Sequence, residues 1–305
     1  MIKRRNLDPS IRGLIDGDLP RRMLHVCPTT SGNRNYLESN APYGVFDSNQ
    51  DAMDSVEAYD DVVVWPGNYN EVGALSITVD GVRLRAAMQA PNMGMCRRTT
   101  LWQDDSTTGN VGCIDIQGAQ SCEVSGFRIG PYLGANGVGI NIGTTARSDG
   151  TFIHDNFFYT TETANMPTYI EMGANSFDAQ STLIYRNDFY GGGCNVGDSA
   201  IIRWDNATRS RIMQNTFMQL GNGTSYIGIK LRDFADHVPR GWILDNVFTC
   251  MEVGGVLAID VDETTAGVLF IDGNSFIGHT ANANCFDYHT NNAGRNWLNG
   301  VHISD

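Results

Sequence analysis

Two short patterns recur along this chain of 305 residues, and their spacing constrains its fold more than any other feature. The first pattern is an apolar residue, one polar or charged residue and a second apolar residue, repeated every 26 to 32 residues. Strict alternation over three residues is typical of a short β-strand with one buried face. The seven copies are Ile114–Ile116, Ile140–Ile142, Ile170–Met172, Ile202–Trp204, Ile229–Leu231, Ile259–Val261 and Phe286–Tyr288.

The second pattern, apolar-x-x-Asn-x-Phe, falls between copies of the first. Its asparagines are separated by 31, 28, 31 and 28 residues, a regularity that chance does not explain. An earlier, degenerate copy is predicted to place Ser125 and Phe127 where the later copies have Asn and Phe. The five asparagines are Asn156, Asn187, Asn215, Asn246 and Asn274.

A repeating unit of about 29 residues with two or three short strands cannot bury its own apolar face. Stacking successive units about 4.8 Å apart as parallel strands buries it. The repeated Asn is then predicted to lie at a turn in left-handed geometry and to form a hydrogen-bonded ladder between coils. A leucine-rich or helical repeat is disfavoured because no unit has the spacing of an amphipathic helix. We therefore predict an all-β fold, a right-handed, single-stranded parallel β-helix of about seven to eight coils.

The segment before the repeats resembles the opening of pectin-lyase-like β-helix proteins. Residues 51–59 have apolar side chains at helical spacing, and Pro66-Gly-Asn-Tyr-Asn-Glu71 matches the P-G-x-Y-x-E entry into the first coil of that family. The resemblance implies a short N-terminal helix that caps the β-helix, and it covers residues 43–305. The family includes polysaccharide lyases, esterases, phage tailspikes and noncatalytic virion parts, so fold alone does not define activity.

Stacking brings the middle residues of the first pattern into one row on the outer face. We predict a solvated row in which Glu171 pairs with Arg203 and Lys230 pairs with Asp260. The row is Asp115, Asn141, Glu171, Arg203, Lys230, Asp260 and Asp287.

The best candidates for catalysis are Asp260 and Asp287 on consecutive coils, with Glu263 close by. Glycoside hydrolysis needs two carboxyl groups, about 5 to 5.5 Å apart in retaining enzymes or about 6.5 to 9.5 Å apart in inverting ones. Carboxyl groups on consecutive coils can meet the shorter of these distances. The sequence shows no calcium cage for a lyase and no esterase motif, so a structural row is favoured over an enzyme. If the protein is an enzyme, a polysaccharide hydrolase or lyase is indicated. The six histidines lack metal-ligand spacing, so neither a metal nor another cofactor is predicted.

Composition excludes several other classes. A net charge of −13 disfavours nucleic-acid binding, since such proteins bring cations to phosphates. The seven cysteines form no C-x-x-C pair and are expected to be buried and reduced. Neither a signal peptide nor a membrane span is recognisable, which favours synthesis in a host cytoplasm.

The first 42 residues carry no repeat and differ in charge from the rest. Residues 1–25 contain six basic and three acidic side chains, although the whole chain is acidic. Asp8 and Pro9 can start a short helix, which would need a partner surface because it is too short to be stable alone. We therefore divide the chain into an anchoring arm, residues 1–42, and a β-helix domain, residues 43–305. The predicted partner-binding residues are Arg4, Arg5, Leu7, Ile11, Leu14 and Ile15.

The opening residues, Met1 to Ser10, resemble the start of tailed-phage virion proteins that join such an arm to a β-helix. The resemblance implies a noncatalytic virion protein, and we expect a capsid decoration or cement protein, bound to a capsid or tail protein through the arm. We expect a homotrimer, since capsid threefold positions would select one and closed cyclic symmetry is the norm for oligomers. The alternative is a tailspike-type protein that binds or cleaves a host surface glycan. A bacterial surface protein is a third hypothesis.

Overall fold

The computed structural model describes residues 21–71, 74–87, 99–103, 112–130, 138–159, 168–173, 179–191, 200–205, 207–219, 225–232, 240–249, 255–262, 268–277, 286–288, 297–298 and 302–304. Within these residues three parallel sheets of 11, nine and eight strands enclose a hydrophobic core. We call them sheet 1, sheet 2 and sheet 3.

Sheet 1 contains β1 Met23–Val26, β2 Val45–Phe46, β3 Asp61–Val64, β6 Arg83–Ala86, β9 Glu123–Ser125, β12 Phe152–His154, β15 Leu183–Tyr185, β18 Ser210–Met213, β21 Arg240–Leu244, β24 Val268–Asp272 and β27 Trp297–Leu298. Sheet 2 contains β4 Gly67–Glu71, β7 Thr99–Gln103, β10 Arg128–Gly130, β13 Phe157–Tyr159, β16 Asp188–Gly191, β19 Thr216–Gln219, β22 Val247–Thr249, β25 Ser275–Ile277 and β28 His302–Ser304. Sheet 3 contains β5 Leu75–Ile77, β8 Gly112–Ile116, β11 Val138–Ile142, β14 Thr168–Met172, β17 Ile202–Trp204, β20 Ser225–Arg232, β23 Gly255–Asp262 and β26 Phe286–Tyr288.

From β3 onward the chain visits sheets 1, 2 and 3 in turn, so that each coil adds one strand to every sheet. The described strands form eight complete coils from β3 to β26, and β27 and β28 belong to a ninth. The predicted parallel β-helix is therefore confirmed, and the number of coils is slightly higher than expected.

Each sequence pattern occupies a fixed place in the coil. The first lies in sheet 3, where Ile140 is in register with Ile114 on one side and Ile170 on the other. The second spans the corner from sheet 1 to sheet 2, with its phenylalanines stacked in the core at centroid distances of 4.5 to 5.2 Å. The stacked rings are those of Phe158, Phe189, Phe217, Phe248 and Phe276.

The repeated asparagines form a buried ladder at this corner. The Asn156 amide Nδ2 donates to Asn187 Oδ1 at 3.1 Å and to the carbonyl oxygen of Val124 at 3.0 Å. The same bonds recur from coil to coil as far as Asn274. Because each amide satisfies groups of the neighbouring coils, the side chains join the coils along a dry corner.

Two details of the predicted corner are wrong. The left-handed residue is the one before each Asn, as at Asp155 and Arg186 with φ of 55° and 51°. Phe127, and not Ser125, occupies the first Asn position, because Ser125 is in register with His154 two residues earlier. The Phe127 backbone N–H donates to Asn156 Oδ1 at 3.0 Å.

The capping helix begins and ends earlier than predicted. Helix α1 is Arg34–Asn40 and helix α2 is Asn49–Asp54. Ser48 caps α2 by accepting a hydrogen bond from the Asp51 backbone N–H, and Ala52 and Met53 pack into the core. Helix α2 thus covers the apolar end of the first coil.

The β-helix also extends into the segment that we assigned to the arm. Strand β1 pairs in parallel with β3 along Met23 to Val26, and β2 pairs with β1. Residues 21–42 therefore contribute a strand and a helix to the folded body, and the predicted arm is reduced to residues 1–20, which lie outside the described residues.

None of the described helices is long and apolar enough to cross a membrane. Cys27, Cys113 and Cys122 are buried, as expected for small core residues, and form no disulfide among the described residues.

Candidate functional site

The predicted row on sheet 3 has the expected register but not the expected exposure. Asn141 donates from Nδ2 to Asp115 at 2.7 Å, Arg203 bonds Glu171, and Lys230 lies 3.8 Å from Asp260. The solvated row is wrong, because Asn141, Glu171, Lys230 and Asp260 are only 5 to 7% exposed. Burial makes pairing necessary for these charges.

The three candidate catalytic residues are only partly described. Asp260 and Asp287 are in register on neighbouring strands, as predicted. The charge of Asp260 is balanced by Lys230. Glu263 and the side chain of Asp287 lie outside the described residues, and catalysis by this group stays a prediction. All six predicted partner-binding residues of the arm, from Arg4 to Ile15, also lie outside them.

A different face carries the cleft with the properties of a binding site. It opens on the outer side of sheet 1 between β12 and β24 and has a volume of about 890 Å³. Five strands at one spacing each extend over about 19 Å. Ligand sites are typically clefts of several hundred Å³ with mostly apolar walls and a few polar groups. We call this feature the sheet-1 cleft.

Five outward side chains on consecutive coils line the sheet-1 cleft, and four of them are apolar. The register of sheet 1 brings them into one row. Outward positions of a sheet are normally polar, so large apolar side chains at successive coils indicate a surface that meets a ligand or partner. The row is Phe152, Leu183, Arg211, Trp242 and Phe270.

Stacked rings fix the shape of one half of the cleft. The Trp242 and Phe270 rings lie 6.0 Å apart with planes 9° from parallel. The Arg211 guanidinium lies over the Trp242 ring, 4.9 Å from its centroid. Cation and ring therefore hold each other in place, and Phe270 keeps 37% of its surface exposed.

The core supports this stack from below. Gly241, next to Trp242, faces the buried indole of Trp204, which reaches across from sheet 3. A Cβ at Gly241 would lie 2.3 Å from that ring and 2.6 Å from the carbonyl oxygen of Ser210. Glycine is required here because the Trp204 ring and the Ser210 carbonyl oxygen fill the space that a Cβ would take.

The turn that precedes sheet 1 supplies the polar groups of the cleft. Ser181 and Arg209 stand at the same turn of consecutive coils and line its edge, whereas the Thr182 hydroxyl is buried and donates to the carbonyl oxygen of Ala179 at 3.2 Å. The Thr151 hydroxyl is fully buried, with no hydrogen-bond partner among the described residues, and so offers no group to a ligand at the surface.

A charged cluster adjoins the cleft at Phe152, whose ring lies 4.7 Å from that of His154. His154 contacts Asp155 at 2.7 Å and Glu123 at 3.2 Å. Burial lowers the pKa of His154, but its hydrogen bonds to Glu123 and Asp155 outweigh burial and leave the pKa above its ordinary value. Burial raises the pKa of Glu123, but His154 and Arg83 outweigh it, so that pKa is lowered. The cluster is therefore an ion-paired support for the edge of the cleft.

We did not predict the sheet-1 cleft, although the sequence contains its signal. In each copy of the second pattern, the residue just before the first apolar position points outward. At Phe152, Leu183, Trp242 and Phe270 that residue is itself large and apolar. The repeat predicts its direction, but only the register shows that these residues adjoin one another.

Comparison with known proteins supports the fold. No protein-family model matches the chain, and no curated protein sequence matches it. A solved structure of Escherichia coli YbhC is similar, with 11% identity and a TM-score of 0.61 over 93% of this chain and 86% of that chain. An alginate lyase from Paenibacillus has 11% identity and a TM-score of 0.44 over 88% and 99%. A protein of Geobacillus virus E2, ORF18, has 13% identity and a TM-score of 0.39 over 84% and 57%.

The chain is thus a parallel β-helix, a fold that it shares with YbhC. Identities this low establish the fold alone, and activity has to be argued from the site.

Proposed function

We propose that this protein is a β-helix component of a phage particle that binds a polysaccharide in the sheet-1 cleft. The observation that carries the proposal is the row of apolar side chains with Arg211 at its centre, on a face where a β-helix needs no apolar residues. The phage particle is suggested by the opening residues of the chain.

A polysaccharide suits this lining. Sugar rings have apolar faces that pack on aromatic side chains, and their hydroxyl groups pair with hydroxyls and guanidinium groups. The extended row of five coils suits a chain better than a compact molecule. The described lining includes neither a carboxyl group nor an imidazole, the usual groups for acid–base catalysis, which supports binding over cleavage.

Trp242→Ala is expected to weaken polysaccharide binding about 30-fold or more, because truncating a central aromatic anchor costs at least about 2 kcal/mol. The measurement is binding to an array of bacterial surface polysaccharides, followed by calorimetry on those that bind. Tyr36→Ala is the matched control, because Tyr36 is a 68% exposed aromatic residue on α1. Equal binding by both variants and the unchanged protein would contradict the proposal.

We also propose that the N-terminal segment attaches the β-helix to the capsid or tail, with the protein acting there as a trimeric decoration protein. The contrast between the basic start and the acidic remainder favours this role. Arg22 pairs with Asp60 at 2.5 Å, and Arg21 donates to the carbonyl oxygens of Tyr59 and Gly81. These bonds secure the point where residues 1–20 join the body.

Deleting residues 1–20 is expected to abolish co-sedimentation with virions. The body should stay folded, because β1 and the preceding Arg21 and Arg22 remain. Light scattering on the full chain is expected to give the mass of a trimer. Circular dichroism of the deletion variant checks that the β-helix is still folded. If the deletion variant still co-sediments with virions, this role is ruled out. It is also ruled out if the full chain is monomeric at the concentration used for co-sedimentation.

A further inference from the structure

We infer that the polysaccharide in the sheet-1 cleft is acidic and that Arg209 and Arg211 recognise its negative groups. This inference rests on the proposed function and adds the chemical class of the ligand.

Pairing with a carboxylate is common among the basic side chains in the described part of this acidic protein. Nine arginine and lysine side chains outside the cleft lie within 4.0 Å of a carboxylate oxygen. With 34 acidic and 21 basic residues in the chain, carboxylates are available on most surfaces. The nine are Arg21, Arg22, Arg34, Arg83, Arg85, Arg147, Arg186, Arg203 and Lys230.

Arg209 and Arg211 depart from this tendency. Both are exposed, both line the cleft, and neither has a carboxylate within 4.0 Å among the described residues. Arg211 instead lies over Trp242, which orients its guanidinium without neutralising it. Two exposed positive charges in one cleft, without a carboxylate partner among the described residues of an acidic protein, point to a negative partner that comes from outside.

The chemistry fits carboxylate or phosphate groups on a sugar chain. A guanidinium donates two parallel hydrogen bonds to either group, and such charged bonds are stronger than neutral ones.

The test compares each bound polysaccharide with its own neutral form. Carboxyl groups are reduced to alcohols after carbodiimide activation, and phosphates are removed with hydrogen fluoride. The neutral forms are expected to bind at least about tenfold more weakly, as loss of a charged hydrogen bond implies. Arg211→Gln and Arg209→Gln should each weaken binding of the acidic forms about tenfold and weaken binding of the neutral forms by a clearly smaller factor.

Arg147→Gln is the matched control, since Arg147 is an exposed arginine outside the cleft that pairs with Asp149 at 2.8 Å. It should leave the affinity for acidic forms unchanged. Thermal unfolding of each variant verifies that the fold is intact, and Arg211→Lys should restore part of the affinity. Equal binding of acidic and neutral forms, with sensitivity to Trp242→Ala retained, would overturn the inference and leave the proposed function standing. If no polysaccharide binds in either form, the proposed function fails and the inference fails with it.

Discussion

Asn215→Ala is expected to lower the free energy of unfolding by about 3 kcal/mol or more, because it leaves several buried polar groups without partners. The Asn215 amide Nδ2 donates to the carbonyl oxygen of Ile184 at 3.1 Å and to Asn246 Oδ1 at 3.0 Å. Its Oδ1 accepts from the backbone N–H of Asn187 at 2.9 Å and from the Asn187 side chain at 3.1 Å. Alanine can make none of these bonds, and water does not reach the corner, where Asn215 is 1% exposed.

Urea unfolding followed by circular dichroism measures this loss. Asn35→Ala is the matched control: the same substitution on the exposed face of α1 should change stability by less than about 0.5 kcal/mol. A loss at Asn215 no larger than that at Asn35 would show that the ladder does not stabilise the stack.

Phe217→Ala is expected to cost about 3 to 5 kcal/mol, the range for removing a large buried aromatic side chain. Its ring lies between those of Phe189 and Phe248, at centroid distances of 4.9 and 4.5 Å. The neighbouring coils are held by strand pairing on three sheets, so the cavity cannot collapse freely.

The adjacent Met218→Ala is the control, because Met218 is only partly buried and alternates to the outer face of sheet 2. Its loss should stay below about 1 kcal/mol, and Phe217→Leu should fall between the two. If Phe217→Ala and Met218→Ala have the same urea midpoint, a stacked phenylalanine contributes no more to stability than an outward-facing side chain.

Most of the fold could be predicted because the repeat is short and regular. Ile114, Ile140 and Ile170 share one place in the coil, and parallel stacking is how units of this size bury such residues together. The prediction failed where a copy is degenerate. In the earliest copy of the second pattern, Phe127 occupies the Asn position. Matching by residue type assigned Ser125 to that position, two residues before the one that the strand register gives.

Exposure was harder to predict than direction. Glu171, Lys230 and Asp260 point away from the core, as their pattern indicates, yet they are buried and paired. Alternation identifies which face a side chain leaves from, whereas burial depends on what lies over that face. A local pattern carries no information on this.

The sequence by itself determined the parallel β-helix, its repeating Asn corner and the alternation of inner and outer residues, because each follows from contacts between equivalent positions in successive coils. Only the tertiary structure decided where the sheet-1 cleft lies. Phe152 and Phe270 are far apart in the chain and become parts of one cleft through the register of sheet 1. The unpaired state of Arg209 and Arg211 likewise depends on which carboxylates the folded chain brings near them, and folding brings none of the described ones within 4.0 Å.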